Sequence, residues 1–380
     1  MSAPLRVLLA GGGTAGHTNP LLALADELRA ADPATEIRVL GTAEGLESRL
    51  VPERGYELVT IPRVPFPRRP NAAAVRFPGQ FRRAVALAED AVREMRADVV
   101  VGFGGYVATP AYRAAARRRV PVVIHEQNVR AGLANRLGAR RADAVALTFP
   151  ETSLRARRGR TVRTGLPLRP DIAALAAADE ATRAAARESG ARALGLDPAR
   201  PILLVTGGSL GALRLNTAMA GAAQRLTEAG VQVLHSAGKG KAAAVAPSAQ
   251  AAGADYHLQE YLDDMAQAYA CADLVIGRAG AGTVCEQAAV GLPGIYVPLP
   301  IGNGEQRLNV RSLESAGGAI VVADSEMTAE WILGHVPELV TDRARLERMA
   351  AASRSFGVVD AATQLADLVR AVAGRSGVER

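Results

Sequence analysis

The chain of 380 residues contains almost no lysine: of its 45 basic residues, only Lys239 and Lys241 are not arginine. Abundant alanine accompanies the arginine, as a GC-rich coding sequence produces, so the arginine count alone says little about partners. Fourteen aromatic residues (7 Tyr, 6 Phe, 1 Trp) are too few for base-stacking nucleic-acid platforms. Two cysteines, Cys271 and Cys285, build neither a disulfide framework nor a cysteine zinc site, which predicts a reducing, cytosolic compartment. No apolar run reaches the roughly 18 residues of a membrane span. A strand begins at Arg6, which leaves no room for a signal peptide.

What is present suits a soluble multidomain protein. The length divided by about 150 predicts two or three domains, and 49% hydrophobic with 22% charged residues supplies ample core. Net charge is divided unevenly. Residues 1–165 hold 26 Arg against 15 acids, a net of +11, whereas 166–380 hold 19 basic and 23 acidic residues, a net of −4. Codon bias acts on both halves, so the asymmetry points to an anionic partner for the first: nucleic acid, a phosphorylated substrate or an acidic membrane.

Near-continuous apolar runs at 5–10, 37–41, 57–61, 98–102, 121–125 and 144–148, then at 202–206, 231–235, 273–277, 294–298 and 319–322, read as strands covered on both faces. Helical stretches separate them, the βαβ pattern of doubly wound parallel sheets. The pattern restarts: Gly11-Gly-Gly-Thr-Ala-Gly-His17 after the first strand is echoed by Gly207-Gly-Ser-Leu-Gly-Ala212 after Ile202–Thr206. Two similar α/β domains in tandem are expected, joined near Thr164–Pro170. Residues 173–194 read as a solvated helix and 358–373 as a one-faced helix.

The first loop matches G-x-G-x-x-G, but the second strand ends without the acid that a dinucleotide ribose requires. Its glycines still let backbone N–H groups approach a phosphate at a helix start, with Asn19-Pro20 as expected N-cap and first turn. His17 beside a helix N-terminus is favoured neutral and able to accept a proton. Otherwise it hydrogen-bonds the turn. His125-Glu-Gln-Asn128 and Gly102-Phe-Gly-Gly-Tyr106 both end strands, where open α/β sheets bind ligands; the alternative is self-satisfied loops. Thr283-x-x-Glu286 fits a capping box, against a carboxylate accepting both hydroxyls of a ribose. Residues 301–309 read as a polar loop after Pro298-Leu-Pro300. His235, His257 and His335 have no metal-ligand spacing.

Taken together, 11–20, 101–107, 121–138, 207–216, 273–286 and 291–311 resemble the MurG family of N-acetylglucosaminyltransferases, in family order and across most of the chain, with 301–309 similar to actinobacterial members. The resemblance implies a GT-B fold: two doubly wound Rossmann-like domains separated by a cleft. It implies an acceptor and membrane-associating domain over 1–165, with 358–380 packing back on it, and a donor-binding domain over 166–357. The implied reaction is a cofactor-free, metal-independent, inverting transfer from UDP-GlcNAc to lipid I, giving lipid II, at the cytoplasmic face of the membrane. Cell-wall and division proteins are possible partners; nucleic acid is not.

By motif match, His17 and Glu126 are the catalytic candidates, His17 as base toward the acceptor hydroxyl. Donor contacts are implied for Thr14, Gly16, Asn128, Arg169, Gly208, Ser209, Asn216, Arg278, Ala281, Gly282, Thr283, Glu286, Glu305 and Gln306. Acceptor contacts are implied for Gly13, Tyr106 and again Asn128. Glu286 would hold the ribose and the 278–283 backbone would surround uracil. The chain departs from the family pattern at Ala15, Leu166, Leu210 and Glu305, positions where glycine, asparagine, glutamine and glutamine are usual. Residues 62–83, with Arg68, Arg69, Arg82 and Arg83 among prolines and phenylalanines, and Arg117–Arg119, suit peripheral binding to an anionic leaflet; the alternative is a solvated basic loop. Other GT-B transferases, a non-catalytic sugar-nucleotide-binding subunit and an NAD-dependent dehydrogenase are the competing readings.

Overall fold

The structure, a computed structural model, describes residues 4–67, 72–208, 212–301 and 303–375. Arg68, Arg69, Ser209 and Leu210 lie outside the described residues. The chain divides into two compact units, Met1–Arg169 with Asp360–Arg380, and Pro170–Val359.

The first unit runs β1 (Arg6–Ala10), α1 (Ala15–Ala31), β2 (Glu36–Gly41), α2 (Glu47–Glu53), β3 (Glu57–Thr60), α3 (Ala72–Met95), β4 (Val99–Gly102), α4 (Gly105–Arg118), β5 (Val122–Glu126), α5 (Leu133–Gly138), β6 (Ala144–Leu147) and β7 (Arg160–Arg163). Its seven strands pair in the order β3-β2-β1-β4-β5-β6-β7, all parallel. Alternate residues of β1 serve opposite faces, as the period of two demands. Val7 and Leu9 join the core with Leu21, Leu24 and Leu28 of α1. Leu8 and Ala10 face a second core with Ala84, Ala88 and Val92 of α3.

The second unit comprises α6 (Pro170–Ala177), α7 (Glu180–Ala193), β8 (Ile202–Thr206), α8 (Leu213–Glu228), β9 (Gln232–Ser236), α9 (Ala246–Ala252), β10 (Tyr256–Gln259), α10 (Met265–Cys271), β11 (Leu274–Gly277), α11 (Ala281–Val290), β12 (Gly294–Tyr296), α12 (Glu305–Ser315), β13 (Ala319–Val321), α13 (Ala329–Thr341) and α14 (Arg343–Phe356). Its six parallel strands pair as β10-β9-β8-β11-β12-β13. The final helix, α15 (Ala361–Arg375), returns to the first unit. There Leu365, Val369 and Val372 pack beside Val7 and Leu9.

All eleven expected strands form, and two more appear. β7 and β10 are edge strands, short and only partly buried, so neither carries a continuous apolar run. Other expectations are corrected. α1 starts at Ala15, with Thr14 rather than Asn19 as N-cap, because Thr14 O accepts the amides of His17 and Thr18, each at 3.1 Å. Pro20 therefore sits inside the helix and leaves Gly16 O without its i+4 donor. The 173–194 run is two helices, parted where Asp179 caps α7 through Thr182 N at 2.8 Å. Thr164–Leu168 is buried rather than a loose linker.

Candidate functional site

In each sheet the winding direction reverses once, between β1 and β4 and between β8 and β11. Open α/β sheets bind ligands beyond the carboxyl ends of strands at such points. The glycine loops after β1, β4, β8 and β11 lie there, and the His125–Asn128 segment follows the neighbouring strand β5.

In the first unit three loops converge. The Gly11–Gly13 loop is organised from below by Glu47, at the start of α2. Its fully buried carboxylate accepts the Gly13 amide at 2.7 Å, the Thr42 amide at 2.9 Å and the Thr42 hydroxyl at 2.8 Å. A Cβ on Gly12 would lie 2.3 Å from the same carboxylate, so only glycine fits. A protein carboxylate thus already occupies the Gly13 N–H that a dinucleotide phosphate would use, which tells against the dehydrogenase reading. His17 falls in the first turn of α1. Its Nδ1 lies 2.9 Å from Thr14 Oγ1. Desolvation lowers its pKa to about 4, against an opposing pull from the Glu47 charge, so the ring is neutral at pH 7.

The second loop follows β4. Phe103 N donates to Ala10 O at 2.8 Å and ties it to the first. Gly104 and Gly105 hold φ of 90° and 78°. A Cβ on Gly104 would stand 3.3 Å from His17 Nε2, and one on Gly105 3.0 Å from Gly12 O. Tyr106, second in α4, remains 40% exposed with the Arg63 guanidinium 5.0 Å from its ring centroid.

The third loop follows β5. The Glu126 carboxylate accepts the amides of Asn128 and Gly132 and the Asn135 side chain, each at 3.0 Å. It is 2% exposed, and desolvation raises its pKa against those bonds. Both its oxygens are thereby engaged in holding the loop's shape. His125 is fully buried and neutral, its pKa lowered to about 4 by desolvation, with Nε2 3.0 Å from Gly165 O. Asn128 is half-buried at the loop's outer end, and its carbonyl accepts Thr152 Oγ1 at 3.1 Å. Gly16 abuts Gln127: a Cβ there would stand 3.7 Å from Nε2. Gly13 and Thr14 are exposed and Arg169, closing the first unit, is half-buried.

In the second unit, β8 leads through Gly207 and Gly208 into α8. Gly208 has φ 76° and its amide donates to Thr206 Oγ1 at 3.2 Å. β11 leads into α11, whose N-cap is Gly280, with no side-chain cap. Thr283 therefore lies inside the helix, and the capping box with Glu286 does not form. Glu286, one turn further, is half-buried, and its Oε2 accepts the Tyr269 hydroxyl at 3.3 Å. A Cβ on Gly282 would meet nothing within 4 Å, so that backbone faces open space; Ala281 is buried beside it.

Four implied donor contacts have side-chain atoms engaged within the unit. The Arg278 guanidinium donates through Nη1 to Val297 O at 2.9 Å and to Asp324 Oδ1 at 2.6 Å. Asn216 is buried; its Nδ2 donates to Ala237 O at 2.9 Å and its Oδ1 lies 3.1 Å from His235 Nε2. Residues 305–309 belong to α12 rather than a loop. There Glu305 Oε2 accepts the Asn303 amide at 3.0 Å and Gln306 Oε1 the Leu299 amide at 2.9 Å.

Comparison with known proteins decides the family. The glycosyltransferase family 28 N-terminal domain model matches residues 7–147 and the C-terminal domain model residues 202–365. A Clavibacter sepedonicus protein named UDP-N-acetylglucosamine--N-acetylmuramyl-(pentapeptide) pyrophosphoryl-undecaprenol N-acetylglucosamine transferase is 56% identical, with 97% of each chain covered. The chain belongs to the MurG family of glycosyltransferases. A Nocardioides protein of the same name is 53% identical over 96% of this chain and 97% of its own. The crystal structure of Acinetobacter baumannii MurG aligns with a TM-score of 0.76 at 31% identity, covering 97% of this chain and 99% of that one. The two doubly wound units are thus the GT-B architecture of that family.

Within this MurG-family chain the sequence reading passed over three residues. Glu47 and Tyr269 stand in no motif that marks them in the sequence. His235 was set aside for lack of metal spacing, yet its Nδ1 lies 2.8 Å from Tyr256 Oη and it links Tyr256 to Asn216. A lone histidine in an apolar strand was the available signal.

Proposed function

We propose that the chain transfers N-acetylglucosamine from UDP-GlcNAc to undecaprenyl-diphosphate-linked N-acetylmuramoyl-pentapeptide, converting lipid I to lipid II. The observation that carries this reading is the identity of 48–56% over at least 95% of the chain to proteins bearing that transferase name. The second unit takes the donor. The Gly207–Gly208 turn after β8 and the positive N-terminal end of α8 meet the diphosphate, the 278–283 backbone borders uracil, and Glu286 accepts the ribose hydroxyls.

The first unit takes the acceptor among Gly13, Tyr106 and Asn128. His17 is the base that removes the proton of the attacking hydroxyl, with inversion at the anomeric carbon. The role fixes a tautomer: Nδ1–H donates to Thr14 Oγ1, and Nε2 keeps its lone pair. Glu126 supports this side by holding Asn128.

The membrane contact is assigned to the basic, aromatic surface of the first unit. Phe66, Phe77 and Phe81 cluster with ring centroids 5.3–6.4 Å apart, and Arg76, Arg82 and Arg83 are exposed on the same helix. No helix among the described residues is long and apolar enough to cross a membrane. We assign the contact as peripheral, on the cytoplasmic face. Sedimentation with anionic vesicles tests this: Arg76, Arg82 and Arg83→Glu should abolish binding, and unchanged binding removes the assignment. Calorimetry tests the donor site: Glu286→Ala should weaken UDP-GlcNAc at least tenfold, and unaltered affinity removes Glu286 from the ribose.

A further inference from the structure

The two lysines of the chain occupy one turn. In a sequence that otherwise uses arginine for every cation, Lys239 and Lys241 stand in Gly238-Lys-Gly-Lys241, directly after β9. β9 pairs with β8 so that Ser236 stands opposite Thr206. The turn therefore leaves the sheet beside Gly207 and Gly208, on the edge where the donor diphosphate is assigned.

The turn is built for a fixed backbone. Gly238 and Gly240 hold φ of 94° and 73°, and Lys241 N closes on Gly238 O at 3.0 Å. The Gly238 amide donates to Glu260 O at 2.9 Å and the Gly240 amide to Glu260 Oε1 at 3.2 Å. A Cβ on Gly240 would meet nothing within 4 Å, so this face is open. Beneath it lies the buried chain Tyr256, His235, Asn216, which ends on the Ala237 carbonyl. Asn216 belongs to the first turns of α8, the helix opened by the glycine loop. One buried side chain thus ties the lysine turn to that helix. Satisfied buried polar networks of this kind specify a single arrangement.

We propose that Lys239 and Lys241 form the cationic wall of the nucleotide site and bind the diphosphate of the UDP donor, with Asn216 and His235 as positioning residues. This rests on the reading that the second unit binds UDP-GlcNAc. It accounts for how a half with a net charge of −4 takes an anionic nucleotide: the positive charge is local. Lysine is the suited cation, because a compact ammonium on a flexible stem serves phosphate as a point charge, whereas the broad guanidinium fork needs room for bidentate pairing. Glu260 is exposed and holds the turn through Gly240 N. It reduces the net charge of the turn without removing it.

The test is calorimetric binding of UDP and of uridine to the full chain. Lys239→Ala/Lys241→Ala should weaken UDP at least fivefold and leave uridine within twofold. Lys239→Arg/Lys241→Arg should recover part of the loss. UDP affinity within twofold of wild type in the alanine variant overturns the proposal. So does an equal loss for UDP and uridine, which would report a collapsed turn. Wild-type protein that binds neither ligand overturns the donor reading itself, and the lysine assignment falls with it.

Discussion

Glu47 Oε2 lies 2.7 Å from the amide of Gly13, across 34 positions of sequence, and this bond holds the loop that leads into α1, whose first turn carries His17. Removing the carboxylate leaves three donors without this partner, the two on Thr42 buried. Glu47→Ala should cost on the order of 2–4 kcal/mol of first-unit stability and lower kcat at least tenfold, with Glu47→Gln in between. Urea unfolding and steady-state kinetics check both. Unchanged kcat in a folded variant would separate Glu47 from the reacting loop.

The His17–Thr14 contact makes a prediction about pH. Because desolvation lowers the pKa of His17 to about 4 in the free protein, its imidazole is neutral throughout the physiological range. The acid limb of kcat/KM should therefore contain no His17 break near the ordinary imidazole value of about 6.5. Thr14→Val, which loses the Nδ1 partner, should reduce kcat more than KM, while Thr14→Ser retains activity. A break near 6.5 that disappears in His17→Gln contradicts the assigned environment.

His235 carries a stability signature. Its folded pKa is about 4, lowered by desolvation, against about 6.5 unfolded. Between those values the unfolded chain binds the extra proton, so its contribution is intact above pH 6.5 and is lost as pH falls toward 4. The slope is at most about 1.4 kcal/mol per pH unit. His235→Gln should be less stable at pH 7.5 but flatter between pH 6.5 and 4.5 in denaturant titrations. An equally steep variant would place the proton uptake elsewhere.

The returning helix α15 is a structural part of the first unit. Leu365 is fully buried among Val7, Leu9 and Leu28. Leu365→Ala should cost about 2–5 kcal/mol, read as an earlier transition of the first unit in thermal unfolding, with UDP binding retained.

These relationships differ in how far the sequence disclosed them. The central strands were legible because parallel strands covered on both faces must be continuously apolar, as Leu203 through Val205 are. Edge strands such as Arg160–Arg163 escape that rule, since one side meets solvent. Glycine loops announced both ligand edges. The supports beneath them did not: Glu47 acts on Gly13, and His235 on Asn216, through contacts that no local spacing encodes. The capping-box pattern at Thr283 misled because the helix already begins at Gly280.

The central claim is tested most directly by radiolabelled transfer from UDP-GlcNAc to a synthetic lipid I analogue. The account predicts a product carrying one added N-acetylglucosamine in β1→4 linkage, lost in Glu286→Ala at low donor concentration and lost at all concentrations in His17→Ala. Protein that binds UDP-GlcNAc yet leaves the lipid I analogue unmodified would contradict it.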